Sequence, residues 1–311
     1  MNVLDPAFAA SVLTATAPVV LAALGGLICS VSGVFNMALE GTLLWGAFVA
    51  VVASHLTGSA WWGVAAAVVA GVLYSAVLSV LTVTLRADAV VVAVGLNLLA
   101  LGLTAFLMRE ILGVGGTYTS PDLRGLPTLA AALGRVPLLG PVLGPQSPLV
   151  PVAFALVVAA AWWLRRTRSG LRLRGAGQHP EAAASLGLRV AAYRHGAVMA
   201  AGALCGLAGA QLALGNVTLF SEGMSAGRGW VAVVAVMLGG VRPYRVAAAC
   251  LLFGVAEALG FRLQGAGLPQ QLADAAPYLI TLVALVLAAS AGRRRRAGGG
   301  VVIARKDRGG R

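Results

Sequence analysis

The chain is poor in charge. Only 11% of its 311 residues are Asp, Glu, Lys or Arg, against roughly a quarter in soluble domains. That shortage excludes an ordinary soluble fold, whose surface is largely charged. Aromatic residues are scarce too, at 6%, and none is interleaved with the arginines, which argues against a nucleic-acid surface. The three cysteines, Cys29, Cys205 and Cys250, lie in apolar runs without metal-ligand spacing. They read as small buried apolar residues, not as ligands or disulfide partners. The motifs of two enzyme classes are missing as well. No G-x-x-x-x-G-K-[ST] loop is present, so this chain is not expected to hydrolyse ATP, and no H-E-x-x-H zinc helix is present either. The first ten residues carry no Lys or Arg. They lack the basic start of a signal peptide, and the first apolar run is expected to be a retained span.

What remains is hydrophobicity. Apolar residues make up 59% of the chain, and the mean hydropathy is +0.90. Long apolar runs with few charges read as transmembrane helices. The runs do not alternate strictly, which excludes a membrane barrel. The expected fold is all-α, a polytopic transmembrane helix bundle of about nine spans. The runs lie near 8–31, 36–56, 60–85, 89–108, 148–164, 195–215, 229–241, 246–264 and 272–290. The seventh is short for a hydrocarbon core of ~30 Å, so it is tilted, broken or extended into the preceding loop. Residues 1–292 form the membrane domain, and the basic, Gly-rich tail 293–311 is expected to be disordered.

The net charge is +13, and the arginines that produce it are unevenly placed. With the N-terminus outside, the inner loops hold Arg86, then Arg165, Arg166, Arg168, Arg172 and Arg174, then Arg189 and Arg194, then Arg242 and Arg245, and the tail. Arg109, Arg124, Arg135, Arg228 and Arg262 fall outside. This bias sets the orientation as N-out, C-in. Residues 109–147 become a long external loop, rich in Gly and Pro, and residues 165–194 a basic cytoplasmic loop. One segment leaves a choice: "SVSGVFNMALEG", from residue 30, is either a turn at the inner surface or a broken helix at membrane depth.

Inside the basic loop, "GQHPEAAASLGL" (177–188) encodes a short helix. Gly177 frees the chain after the arginines. Pro180 suits the first helical position. Glu181 favours the helix dipole, and Ala182, Ala183 and Ala184 are the best helix formers. Gly187 fits the position after the C-cap. The result is about two turns, on the order of 10 Å, with Ala182, Ala183 and Leu186 on one face. A helix this short must pack on something, either the protein's own membrane ends or a groove on a partner.

Polar groups in the apolar runs are functional suspects. Asn36 and Glu40 are spaced i,i+4 on one helix face, flanked by Gly33 and Gly41. Asn97 and Glu257 each interrupt an apolar run. Two readings fit them: hydrogen bonding between helices, with Glu257 paired to a neighbour such as Arg262, or a polar translocation path. Asp274, near the external end of the last run, is explained by exposure. Gly202, Gly206 and Gly209 recur at helical spacing, which brings helices close.

Three stretches together resemble a known family. The coupling-loop pattern is Gly177, Glu181, Ala182, Ala183 and then Gly187-Leu188. "SGVFNMALEGTLLWGAF" (32–48) is similar to the "SG-x-x-N-x-x-x-EG-x-x-x-x-GAF" signature of branched-chain amino acid, ribose and nucleoside permeases. "GMSAGRGWVAVVAVMLGGVRP" (223–243), "LLFGVAEAL" and "PYLITLVAL" follow in family order. The resemblance runs from about residue 15 to 290 and is closest to the nucleoside and simple-sugar branch of ABC importer permeases. His179 departs from it, standing where the family more often has Asn.

The resemblance implies a permease subunit of a prokaryotic plasma-membrane importer, carrying nucleosides or, alternatively, simple sugars. It implies three protein partners: a second homologous permease, a cytoplasmic ATP-binding subunit and an external substrate-binding lipoprotein. ATP and Mg would be bound by the ATPase subunit and no cofactor by this chain. The loop residues Gly177, Pro180, Glu181, Ala182, Ala183 and Gly187 would dock on that subunit. Asn36, Glu40, Asn97, Trp230 and Glu257 would line the path, and Trp45, Phe220 and Trp230 are candidates to stack on a base. Two rival readings remain. An ion-coupled transporter would use Glu40 or Glu257 as proton carrier. Gly223-Met224-Ser225-Ala226-Gly227 fits G-x-S-x-G, but no strand precedes it, His179 and His195 fall on the opposite, cytoplasmic side from Ser225, and no acid pairs clearly with the external His55.

Overall fold

The computed structural model describes residues 5–130 and 140–264. The ninth expected run, Asp274, Arg135 and the tail lie outside them. The chain falls into two units, Met1–Gly254 and Val255–Arg311. The first holds nearly all that is described here. Of the second, only the continuation of the last helix is described.

Eight of the expected runs are helical. Seven helices are long and apolar enough to cross a membrane among the described residues. They are α1 (Pro6–Val31), α2 (Leu39–Thr57), α3 (Ala60–Ser79), α4 (Ala89–Leu112), α6 (Leu149–Arg166), α9 (Val190–Ala210) and α11 (Pro243–Gln264). α3 and α9 each continue in a π-helical stretch, Val80–Thr84 and Gln211–Val217. The eighth run is the short α10, Arg228–Gly239. Between them lie α5 (Gly140–Leu143), α7 (Arg168–Gln178) and α8 (Pro180–Ser185). The only strands described are β1 (Thr117–Tyr118) and β2 (Phe220–Ser221), paired antiparallel.

The helix ends follow their residues. Asp5 caps α1 ahead of Pro6, which fills the first position. Asp88 Oδ1 accepts the N–H groups of Val90 and Val91 at 2.9 and 3.0 Å and starts α4. Gly58 and Gly113 adopt the left-handed conformation that stops α2 and α4.

Burial ranks the spans. In α1, 83% of the apolar window is buried, against 22% in α4; α1 is central and α4 peripheral. Leu21, Leu24 and Leu27 of α1 are fully buried and share a core with α6, α9, α10 and the start of α11. Without a hydrophobic drive between helices in lipid, close approach depends on small residues, and α9 shows this directly. A Cβ on Gly202 would overlap the carbonyl oxygen of Gly71, and one on Gly206 the carbonyl oxygen of Ala67. Gly209 sits against Leu43 and Ala47 of α2. The three glycines thus pack helix to helix.

The three cysteines are buried and unpaired, as expected. The segment after α4 packs back onto the bundle: Leu123 and Leu126 join a core with Phe48, Leu214 and Phe220, and the Leu126 N–H donates to the Leu214 carbonyl at 2.9 Å.

Two outcomes follow. Gly206→Val is expected to destabilise the detergent-purified chain by about 3 kcal/mol, the upper end of overpacking costs. Gly95→Val on α4, where a Cβ meets nothing within 4 Å, should leave the melting temperature unchanged. Separately, the folded chain should take up no maleimide until it is unfolded, because all three thiols are buried.

Candidate functional site

Between Val31 and Leu39 the chain leaves helical geometry. Gly33, at φ +81°, makes the turn. A Cβ on Gly26 would meet the Leu39 side chain at 2.9 Å, so α2 begins about one turn and a half inside the end of α1. The segment is a non-helical turn at the arginine-rich end of the bundle, against Gly177, from which α2 runs back beside α1.

Three side chains hold the break. Asn36 Oδ1 accepts the Ala38 N–H at 2.9 Å. Asn97, from α4, accepts the Gly41 N–H at 2.8 Å and donates to the Met37 carbonyl at 3.0 Å. Gly41 is required there, since its Cβ would lie 2.9 Å from the Asn97 backbone. Glu40 reaches the other way. Its Oε1 accepts the Gly227 N–H at 2.8 Å, and its Oε2 accepts those of Gly229 and Trp230 at 2.6 and 3.3 Å.

Glu40 is therefore the cap of α10. Gly227, the residue at the N-cap, has no side chain to offer, and a helix start leaves four N–H groups unmet. A carboxylate there is favoured by both hydrogen bonding and the helix dipole. A Cβ on Gly229 would overlap the Glu40 backbone, so Gly229 is part of the cradle. The approach to α10 is a re-entrant turn bounded by two non-glycine residues at positive φ, Thr218 (51°) and Ala226 (46°). The short seventh run is a half-helix entered through this turn. Phe220 anchors the turn, fully buried with its ring 5.3 Å from that of Phe48.

The structure thus joins Asn36, Glu40 and Asn97 in one network, with every amide or carboxylate oxygen bonded to backbone. Trp45 lies against Tyr74, ring centroids 5.9 Å apart, so of the three aromatic candidates only Trp230 keeps an open face, 39% exposed. Glu257 lies half-buried on α11, in the second unit. For the hydrolase reading, Ser225 is buried. His55 is bonded to Tyr118 and His195 to Ser79 and Thr84, so among the described residues no histidine is bonded to Ser225.

The arginine-rich loop holds a helix that the sequence did not announce. α7 is capped by Thr167 Oγ1, which accepts the Gly170 N–H at 3.2 Å, and buries Gly170, Leu173 and Ala176 on one face. Gly177, which the sequence led to expect as freeing the chain, lies instead in the last turn of this helix. Its Cβ would overlap the Val31 carbonyl oxygen and lie 2.9 Å from the Gly33 nitrogen. The basic loop is thereby seated on the α1–α2 break.

α8 follows, with Pro180 at its first position and Glu181 in its first turn. It ends in a Schellman motif: the Leu188 N–H donates to the Ala183 carbonyl at 3.1 Å and the Gly187 N–H to that of Ala184 at 2.9 Å. Gly187 sits at φ +82°. Ala183 is buried, while Glu181 and Ala182 are exposed and Leu186 is 83% exposed. Ala182, Ala183 and Leu186 all border one open, largely apolar groove of about 340 Å³, whose opposite wall is Leu171 and Gly175 of α7.

At the opposite end of α1 lies a network that sequence reasoning missed. Gln211 is fully buried and bonds Ser147 and Asn216, whose amide donates to the Thr14 carbonyl. Gln146 bonds Thr14 Oγ1 and the Ala10 carbonyl. A glutamine inside the apolar run around Gln211 was the available signal.

The capping geometry makes a direct prediction. Glu40→Ala removes charged hydrogen bonds worth about 1.5–3 kcal/mol each, so hydrogen exchange at the amides of residues 227–230 should accelerate. Unchanged exchange there would contradict the cap.

Residues 8–287 match the family described as branched-chain amino acid transport system / permease component. The chain is 33% identical over 292 residues to a nucleoside ABC transporter permease protein of Lactococcus lactis, covering 89% of this chain and 90% of that protein. It is 32% identical to a guanosine ABC transporter permease protein of Bacillus subtilis, covering 88% and 89%. A putative glucose ABC transporter permease protein of Haloferax volcanii is 33% identical, covering 84% and 80%. No solved structure gives a significant match. The chain is a multi-pass protein of the plasma membrane and belongs to the branched-chain amino acid transport system / permease component family.

Proposed function

We propose that this chain is the permease subunit of an ATP-driven importer of nucleosides, and that the arginine-rich face is cytoplasmic. Two of its relatives at about one-third identity over most of both chains are named for nucleoside or guanosine transport. The partners are a second homologous permease, a cytoplasmic ATP-binding subunit that binds ATP and Mg, and an external substrate-binding lipoprotein. Trp230, on the open face of α10, is the residue we assign to the path wall.

One observation carries the mechanism. The exposed helix α8 and the α1–α2 break are joined through α7, whose Gly177 packs backbone to backbone on Val31–Gly33. The ATP-binding subunit would dock on Ala182, Leu186 and the groove beside them, with Glu181 available to a partner's arginine. Motion of that subunit would then move α7 and the break together. Asn36 and Glu40 lie within or beside the break, and Glu40 holds the start of α10. Displacing the break would tilt α10 and with it Trp230. An ion-coupled carrier has no use for an exposed two-turn helix closed by a Schellman motif.

Two substitutions separate docking from transmission. Ala182→Arg should lose the ATP-binding subunit on purification, and uptake with it. Gly177→Val should retain that subunit and its ATP hydrolysis but lose uptake, because the break is displaced. Uptake of radiolabelled guanosine by the reconstituted complex is the readout, and competition by unlabelled glucose instead of nucleosides would replace the substrate. Uptake that survives Ala182→Arg would remove the docking role.

A further inference from the structure

At the arginine-rich ends of α1, α6, α7 and α9 lies an open cleft of about 360 Å³. Its floor is one strip of α9: Ala192, Gly196 and Ala200. These recur every four residues, so no long side chain fills the slot over about 12 Å, close to the depth of one leaflet's hydrocarbon. A Cβ on Gly196 would meet nothing within 4 Å. Ile28, Leu173 and Trp163 form the walls. The Trp163 indole N–H donates to Ser169 Oγ at 2.8 Å, which uses its polar edge and leaves the ring to line the slot.

The chain beside the cleft has the opposite character. Arg165 and Arg166 end α6 just after Trp163, and Arg189 stands at the N-cap of α9, one turn from Ala192. All three are exposed, and none forms an ion pair among the described residues. Tyr193 also lines the cleft, and its hydroxyl makes no hydrogen bond among the described residues. Within residues 165–194 the sequence offers seven arginines but a single acid, Glu181.

An apolar slot beside unneutralised guanidinium groups at a membrane surface is complementary to a lipid of net negative charge. We infer that the cleft binds an anionic phospholipid, its acyl chain along Ala192–Ala200 and its phosphate between Arg189 and the arginines that end α6. A zwitterionic lipid offers the same phosphate but carries its own cation and is bound less well. The bound lipid spans α6, α7 and α9, and so fixes the base of the α7–α8 loop. The inference needs only that this face lies at a membrane surface; it stands or falls separately from the nucleoside reading.

The test is native mass spectrometry of the full chain, released from micelles containing equal phosphatidylglycerol and phosphatidylcholine. The chain is expected to retain phosphatidylglycerol selectively. Gly196→Phe fills the slot and should abolish that retention, while Gly95→Phe, equally open but on α4, should not. Arg166→Gln combined with Arg189→Gln changes only exposed positions and should erase the preference for phosphatidylglycerol. Equal retention of the two lipids by the unmodified chain, or full retention by Gly196→Phe, would overturn the assignment, as would an undiminished preference in the double arginine variant.

Discussion

The fold turns on one carboxylate. α10 begins against the bundle, and the N–H groups of its first turn find no partner within the helix itself. Its own N-cap is a glycine. Glu40 meets three of those groups from the first turn of another helix, and the dipole of α10 compensates a charge that membrane depth would otherwise make costly. The relation is reciprocal. Glu40 can be there only because Gly229 has no Cβ, and α2 can begin where it does only because Gly41 lets Asn97 approach. Two helix starts are thus pinned to each other and to α4 by a handful of atoms. The polar residues of this region serve the backbone first, and Trp230 is what they present.

The second constraint is mechanical. The break between α1 and α2 touches the basic loop through Gly177 at a distance that admits no side chain. A packed backbone contact transmits displacement because interiors this dense do not deform smoothly. From α8 to α7, to the break, to Glu40, to α10, each step is a contact between named groups.

Much of this was legible in the sequence, for identifiable reasons. The spans were legible because a hydrocarbon solvent demands long apolar helices, and the limits of α1, α3 and α4 agree with the expected runs within a few residues. α8 was legible because Pro180, Glu181 and Gly187 are local signals, and a cap is a local structure. Glu40 and Asn97 stood out as polar groups in apolar runs. Their partners did not, because the Glu40–Gly229 contact crosses 189 residues and no local rule encodes it. The stretch Gly223–Gly227 fits a nucleophile turn in sequence, whereas in the structure its last residue gives its N–H to Glu40. α7 was hidden because five arginines between residues 165 and 174 read as a solvated loop, although Leu173 and Ala176 already marked its buried face. Gly177 reads as freeing the chain because sequence does not distinguish a glycine that loosens the backbone from one that admits a neighbour.

The central claim is that the α7–α8 loop and the α1–α2 break move as one body. Spin labels at Leu186 and Phe35, both exposed, would report it in the assembled transporter. The account predicts one interlabel distance, unchanged between the nucleotide-free and ATP-bound states, while each label shifts relative to a third on α4 at Leu98, also exposed. A change in the Leu186–Phe35 distance on ATP binding would contradict it, because the loop would then slide over the break instead of carrying it.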